Sequence, residues 1–245
     1  LYNVATKVYT IIKSLMAACI LVSLPRLSNY IALQKIEEFN LKASEILNAF
    51  TALLLPTVIG MFMTAKDIIQ ILAGETYLEA TIALKILSIS LLFSILAVYF
   101  TNVILLPTKK EKQIMYATFA SAIVNLLLNI VCISRWNHVG AAITTAIAEV
   151  VVMIWQIVVY MRAESKIRIQ IEVKNILASL VGCGCIAVIC AIISGVNIPF
   201  YIGFICKIGL SVLSYIAVLI AFRHTLVMNG LKIIYKKRFH RGQIG

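Results

Sequence analysis

Between Asn137 and Arg162 the chain reads NHVGAAITTAIAEVVVMIWQIVVYMR, a polar turn and small residues followed by about twenty residues of unbroken helix-forming or apolar character. At 1.5 Å per residue that length crosses a hydrocarbon core of roughly 30 Å. Near its middle stands Glu149, which should lie at the depth of the bilayer midplane. A charge there is costly unless it faces protein, water or a partner. The other apolar segments read as the packing that makes it tolerable.

Apolar residues make up 62% of the chain and charged residues 13%, with a mean hydropathy of +0.99. Soluble domains average about half and a quarter. The expected fold is all-α, a polytopic membrane helix bundle of about seven transmembrane helices plus one interfacial amphipathic helix. The spans are Tyr2–Leu24, Leu47–Ala65 with Pro56 as a kink, Ala80–Leu106 stopped by Pro107, Gln113–Ser134, Asn137–Arg162, Asn175–Ser194 and Phe200–Phe222. In Asn29–Ile46, Ile36, Phe39, Ala43, Ile46 and Phe50 recur every three or four residues opposite Lys35, Glu38, Lys42 and Glu45. That pattern suits a helix lying along the interface. The first residues already lie in an apolar segment with no initiator Met and no basic leader, so a fragment lacking its N-terminal part is expected.

Lys and Arg in the connections set the orientation. Sixteen fall on one side, in Pro25–Ile46, Pro107–Lys112, Arg162–Lys174 and the tail Arg223–Gly245, and two (Lys66 and Arg135) on the other. The first side is therefore expected to be cytoplasmic, with Leu1 outside and Gly245 inside. The net charge of +12 follows from this bias. Anionic lipid attracts juxtamembrane cations at about 1 kcal/mol each, and no nucleic-acid-binding motif accompanies the charge, so no nucleic-acid partner is expected. The six cysteines all sit in apolar runs and read as small hydrophobes.

Four basic residues lie inside spans. Lys7, Lys85 and Lys207 are close enough to helix ends to snorkel. Lys13, equally far from Tyr2 and Leu24, should reach the midplane, where it is opposite in sign to Glu149 and a candidate to pair with it. Asn125 and Asn129 share one helical face and suit hydrogen bonds across a helix interface. Thr144, Thr145 and Gln156 make one side of the Glu149 helix wet. No catalytic constellation, metal-ligand cluster, phosphate loop or cofactor motif accompanies them. An enzyme is not expected, and no metal or cofactor is implied. Any work must draw on an ion gradient, a membrane potential or substrate gradients.

Several motifs in order resemble a known family. Tyr2-x-x-Ala5-x-Lys7 followed by Leu24-Pro25-Arg26-Leu27-Ser28 is similar to a helix and turn of bacterial polysaccharide flippases. The run DIIQILAGE over Asp67–Glu75, with Gly74, then Tyr77 and Ala80, is similar to that family's next short turn. Asn125-x-x-x-Asn129, then Val139-Gly140-Ala141-Ala142 and Glu149, resembles its Asn-rich helix leading into a Gly-Ala-Ala helix with an acid. The resemblance is to O-antigen and lipid-linked oligosaccharide flippases, in the superfamily that includes multidrug extruders and lipid II flippases.

That resemblance implies two bundles of six helices around a cavity, with residues 1–162 forming most of the second bundle, 163–222 two additional helices and 223–245 a basic cytoplasmic tail. It implies an undecaprenyl-pyrophosphate-linked oligosaccharide as substrate, the bacterial cytoplasmic membrane as location, and the missing N-terminal bundle of the same chain as partner. Lys7, Lys13, Asn125, Asn129 and Glu149 are the substrate-pathway candidates, and Pro25, Arg26, Ser28, Gly74 and Gly140 the structural motif residues. Competing readings are a multidrug or metabolite extruder of the same superfamily, a polysaccharide polymerase and a non-functional remnant. A polymerase should display a long outer loop with basic residues, whereas the outer connections here hold only Lys66 and Arg135.

Overall fold

The computed structural model describes residues 1–163, 166–225 and 227, and the end of the basic tail lies outside the described residues. Among the described residues eight α-helices follow one another: α1 (Tyr2–Leu21), α2 (Leu24–Ala32), α3 (Ile36–Met63), α4 (Ala65–Ala73), α5 (Ala80–Tyr99), α6 (Glu111–Met161), α7 (Val173–Ser194) and α8 (Phe200–Ala221). A 3₁₀ turn, Glu75–Tyr77, follows α4, and a π-helical segment, Phe100–Leu105, extends α5. No strand occurs among the described residues.

Among the described residues six helical stretches are long and apolar enough to cross a membrane: Tyr2–Ala32, Ile36–Met63, Ala80–Leu105, Glu111–Met161, Val173–Ser194 and Phe200–Ala221. At 51 residues, Glu111–Met161 is about twice as long as a bilayer requires. Its backbone breaks at Asn137 (φ 46°, ψ −125°), and the two arms fold back on each other. Ser121 donates to the Ala148 carbonyl at 3.0 Å and Thr144 to Asn129 Oδ1 at 2.5 Å, one bond on either side of the same interface. The expected spans at 113–134 and 137–162 are these two arms, which brings the segments able to cross a membrane to seven among the described residues. The chain is a multi-pass membrane protein.

The chain divides into two compact units. The first comprises Leu1–Ile46 and Met61–Gln170. Its centre is α5, where Ala83, Leu84, Leu87, Ser88 and Leu91 have no exposed surface. Small residues (Ala80, Ala83, Ser88, Ser90, Ser94) let neighbouring backbones approach closely, as helices must where lipid removes the hydrophobic drive to associate. The outer faces are apolar, as with Leu126, Leu127 and Ile130 of the first α6 arm, each more than half exposed.

Two sequence expectations change here. Pro25 does not simply end the first span: it occupies the first turn of α2, a place that suits proline, and the chain stays helical to Ala32. The amphipathic stretch expected as a separate interfacial helix over 29–46 is divided between α2 and the first turns of α3, which runs on through Pro56. No helix breaker separates Ile36 from Leu55, so the apolar stripe continues without a stop. Its central members Phe39 and Ala43 are fully buried, and Tyr99 donates to the Ala43 carbonyl at 2.9 Å. Protein rather than headgroups covers that stripe. On α3, Asn40 and Ser44 also take the backbone amides of Arg168 and Gln170, at 3.1 and 2.9 Å. These bonds satisfy an extended linker that would otherwise leave its donors open.

The second unit comprises Leu47–Gly60 of α3 and Ile171–Gly245. Tyr215 of α8 donates to the Ala52 carbonyl at 2.6 Å, and its ring lies against Gly182 of α7, where any Cβ would collide with it. Asn175 joins Glu172 Oε2 to Thr225 Oγ1, each at 2.6 Å. All six cysteines are free, and Cys183 and Cys190 are buried in this unit.

Candidate functional site

Residues 2, 9 and 13 of α1 are spaced at seven and four, which puts Tyr2, Tyr9 and Lys13 on one helical face. Residues 145 and 149 do the same on the second arm of α6. The two faces meet. Tyr2 and Thr145 share a hydroxyl–hydroxyl bond of 2.8 Å. Lys13 Nζ lies 2.5 Å from Glu149 Oε1, and the Tyr9 hydroxyl donates to the same oxygen at 3.0 Å. The Lys13 ammonium also stands 5.6 Å from the centre of the Tyr9 ring. Ser90 and Ser94 of α5 sit beside the Tyr9 hydroxyl.

This arrangement solves the problem that Glu149 poses. One carboxylate oxygen takes a cationic and a neutral donor, the combination that makes a charge tolerable in low dielectric. The pair is not sealed, for the side chains keep 29% and 17% of their surface. An anion reaching Lys13 could therefore compete with Glu149 for it.

The other candidates lie apart from that pair. Asn129 donates to Asn125 Oδ1 at 2.9 Å and accepts from Thr144, so both asparagines belong to a hydrogen-bond chain within the α6 hairpin. Lys7 is exposed on α1. Among the motif residues, Arg26 Nε donates to the Tyr30 hydroxyl at 2.9 Å, one turn beyond Pro25 and two residues beyond the half-buried Ser28. Gly74 ends α4 at φ 82°, in the left-handed region that favours glycine. At Gly140 a Cβ would strike the Cys132 carbonyl, so glycine is what lets the two arms of α6 close above Asn137.

Two participants were not singled out by sequence. Tyr9 is the second donor to Glu149, and its only signal was its place four residues before Lys13. Thr101, in the π-helical segment, accepts from the buried Gln156 at 2.7 Å. Such segments recur where a helix is adapted to function.

A family model described as Lipid II flippase MurJ matches residues 1–219. A solved structure titled "Lipid II flippase MurJ, inward closed conformation" superposes with a TM-score of 0.69 at 16% identity, covering 91% of this chain and 46% of that one. At that identity the likeness shows the fold alone, and the chain spans about half the length of the solved structure it matches. No curated protein matches the chain. The resemblance read from the motifs thus holds at the level of the superfamily, while the matching family is the lipid II branch rather than the O-antigen branch. With a match across nearly its whole length, the chain belongs to the lipid II flippase MurJ family.

Proposed function

We propose that the chain is the C-terminal part of a flippase that moves a polyprenyl-pyrophosphate-linked glycan precursor across the bacterial cytoplasmic membrane, with a lipid II-type precursor as substrate. The family match over residues 1–219 carries this reading. It favours a lipid II-type headgroup over the O-antigen or capsule unit suggested by the motifs. Both substrate types share the pyrophosphate, and that shared chemistry is where Lys13 enters.

Lys13 holds the substrate's pyrophosphate in one conformation and Glu149 in another. When pyrophosphate takes the ammonium, Glu149 keeps only neutral donors and takes up a proton, since an unpaired carboxylate in low dielectric neutralises itself. When substrate leaves, Lys13 returns and the proton departs. Substrate movement is then coupled to proton movement without a nucleotide. A static Lys13–Glu149 pair that only fastens α1 to α6 is the competing reading, favoured by the completeness of its hydrogen bonding.

Complementation with the complete protein tests the substrate. It should restore growth to cells depleted of their own lipid II flippase, and it should not restore surface polysaccharide to cells lacking an O-antigen flippase. The opposite result would return the substrate to the O-antigen class. Restoration of neither, alongside substrate-stimulated drug efflux, would favour an extruder.

A further inference from the structure

A concave space of about 850 Å³ opens between the two ends of α6, where residues 109–113 face residues 151–163. Its floor is apolar and includes Val151, Ile154 and Val158. Its rim is cationic, with Lys109, Lys110, Lys112 and Arg162 set against the carboxylate of Glu111. Among the described residues none of these four cations is in an ion pair. Trp155 lines the same space, 36% exposed, its indole N–H donating to Gln113 Oε1 at 3.4 Å.

The charges stand where the helix least favours them. Three lysines surround the N-terminus of α6, the end at which the helix dipole is already positive. Cations there cost helix stability, and among the described residues the lining offers one carboxylate, Glu111, to offset them. A negatively charged occupant removes that cost.

The floor identifies the rest of the occupant. Val151, Ile154, Trp155, Val158 and Arg162 recur at three and four residues and so share one face of the arm. From Val151 to Arg162 the helix rises about 16 Å, close to the depth of one leaflet of a hydrocarbon core roughly 30 Å thick. Along this face Trp155 stands between Val151 and Arg162, and tryptophans are enriched at the membrane boundary. A free phosphate would satisfy the rim and leave the floor bare. A neutral lipid would cover the floor and leave the cations without partners. An anionic lipid does both.

We propose that this groove is a binding site for an anionic phospholipid, with its phosphate against Lys109, Lys110, Lys112 and Arg162 and an acyl chain along Val151, Ile154 and Val158. The site is separate from the Lys13–Glu149 pair. Glu149 is two residues from Val151, and residues two apart on a helix do not share a face. The phospholipid is a resident of this face of the α6 hairpin and holds its two ends together from outside.

These 245 residues hold two tryptophans, so Trp136→Phe, with any tryptophan in the rest of the complete protein also changed to Phe, leaves Trp155 as the reporter. The full chain in this background is reconstituted into vesicles of phosphatidylcholine with brominated phosphatidylglycerol, or into the reverse mixture with brominated phosphatidylcholine. Brominated phosphatidylglycerol should quench Trp155 more strongly at equal mole fraction. Each Lys→Gln change at 109, 110 and 112 should cut the relative association constant by up to about fivefold, and the triple change should abolish the preference. The triple Lys→Arg variant should keep it, which guards against a Gln variant that fails to fold. Equal quenching by the two lipids, or a preference that survives the triple Lys→Gln change, would overturn the proposal. So would loss of quenching on adding inorganic phosphate, which would make the groove a simple anion site. Displacement of the lipid by stoichiometric undecaprenyl pyrophosphate would also overturn it, by assigning the groove to the transported molecule.

Discussion

The ammonium of Lys13 and one carboxylate oxygen of Glu149 meet at 2.5 Å although 136 positions separate them in the chain. Glu149→Gln keeps the size and hydrogen bonding of the acid and removes its charge. Under the coupling proposed above, the variant of the complete protein folds and binds lipid-linked substrate, but its flipping in liposomes no longer responds to an imposed pH gradient. A wild-type pH response, or a poorly folded variant, would remove Glu149 from coupling and leave the static pair.

Lys13→Ala should abolish flipping by the complete protein while it still inserts and accumulates. Stranding Glu149 without its cation costs up to about 3–5 kcal/mol for a fully buried pair, less here because both side chains keep some exposure. Lys13→Arg should retain partial activity, because a point charge can serve a pyrophosphate without bidentate geometry. Wild-type activity in Lys13→Ala would reduce Lys13 to packing.

Topology follows from the distribution of basic residues. Reporter fusions after Lys112 and Lys174 should read cytoplasmic, and a fusion at Asn197 external. An external reading at Lys174 would break both the charge bias and the count of seven crossings.

The turn at Asn137 is the strained point of the α6 hairpin. Its φ of 46° with ψ of −125° suits glycine far better than asparagine, and a non-glycine residue in such a region costs about 1–3 kcal/mol. Asn137→Gly should raise the melting temperature in detergent. Gly140→Val should lower it sharply, because its side chain meets the Cys132 carbonyl. An unchanged melting temperature in Gly140→Val would show that the arms can separate at no cost.

His224, just past α8, is 1% exposed, and burial holds its pKa below the ordinary value while Glu172 works against that shift. The folded state therefore prefers the neutral ring. Its contribution to stability is complete above the unfolded value of about 6.5 and is lost as pH falls from there through the folded value. Melting measured at pH 7.5 and pH 5 should show a drop in the wild type that shrinks in His224→Gln. An equal drop in both would assign the pH dependence elsewhere.

The crossings were legible because a bilayer demands length and apolarity, and both can be read along the chain. The pairing of Lys13 with Glu149 was legible because the two opposite charges each stand near the middle of a long apolar run. Tyr9 was not, because a tyrosine in an apolar run reads as bulk until its hydroxyl has a partner. Nor was the central place of α5: its Ser and Ala residues carry little signal alone and gain meaning only when neighbouring backbones close on them. The boundary between α2 and α3 is hidden in the sequence because Pro25 and the charged face of 35–45 read as an end and a surface, while Phe39 and Ala43 are buried and the Ala43 carbonyl accepts from Tyr99. The family branch was out of reach for motifs that the superfamily shares.

The α6 hairpin has a consequence for how the chain is made. Asn125, Asn129, Thr144, Ser121 and the Ala148 carbonyl satisfy one another within a stretch of 51 consecutive residues. The two arms can therefore leave the insertion machinery as one unit with these polar groups already matched. Lys13 has no such local remedy. It is synthesised 136 residues ahead of Glu149, so α1 must wait at the edge of the lipid, its ammonium turned toward water, until the second arm arrives to complete it.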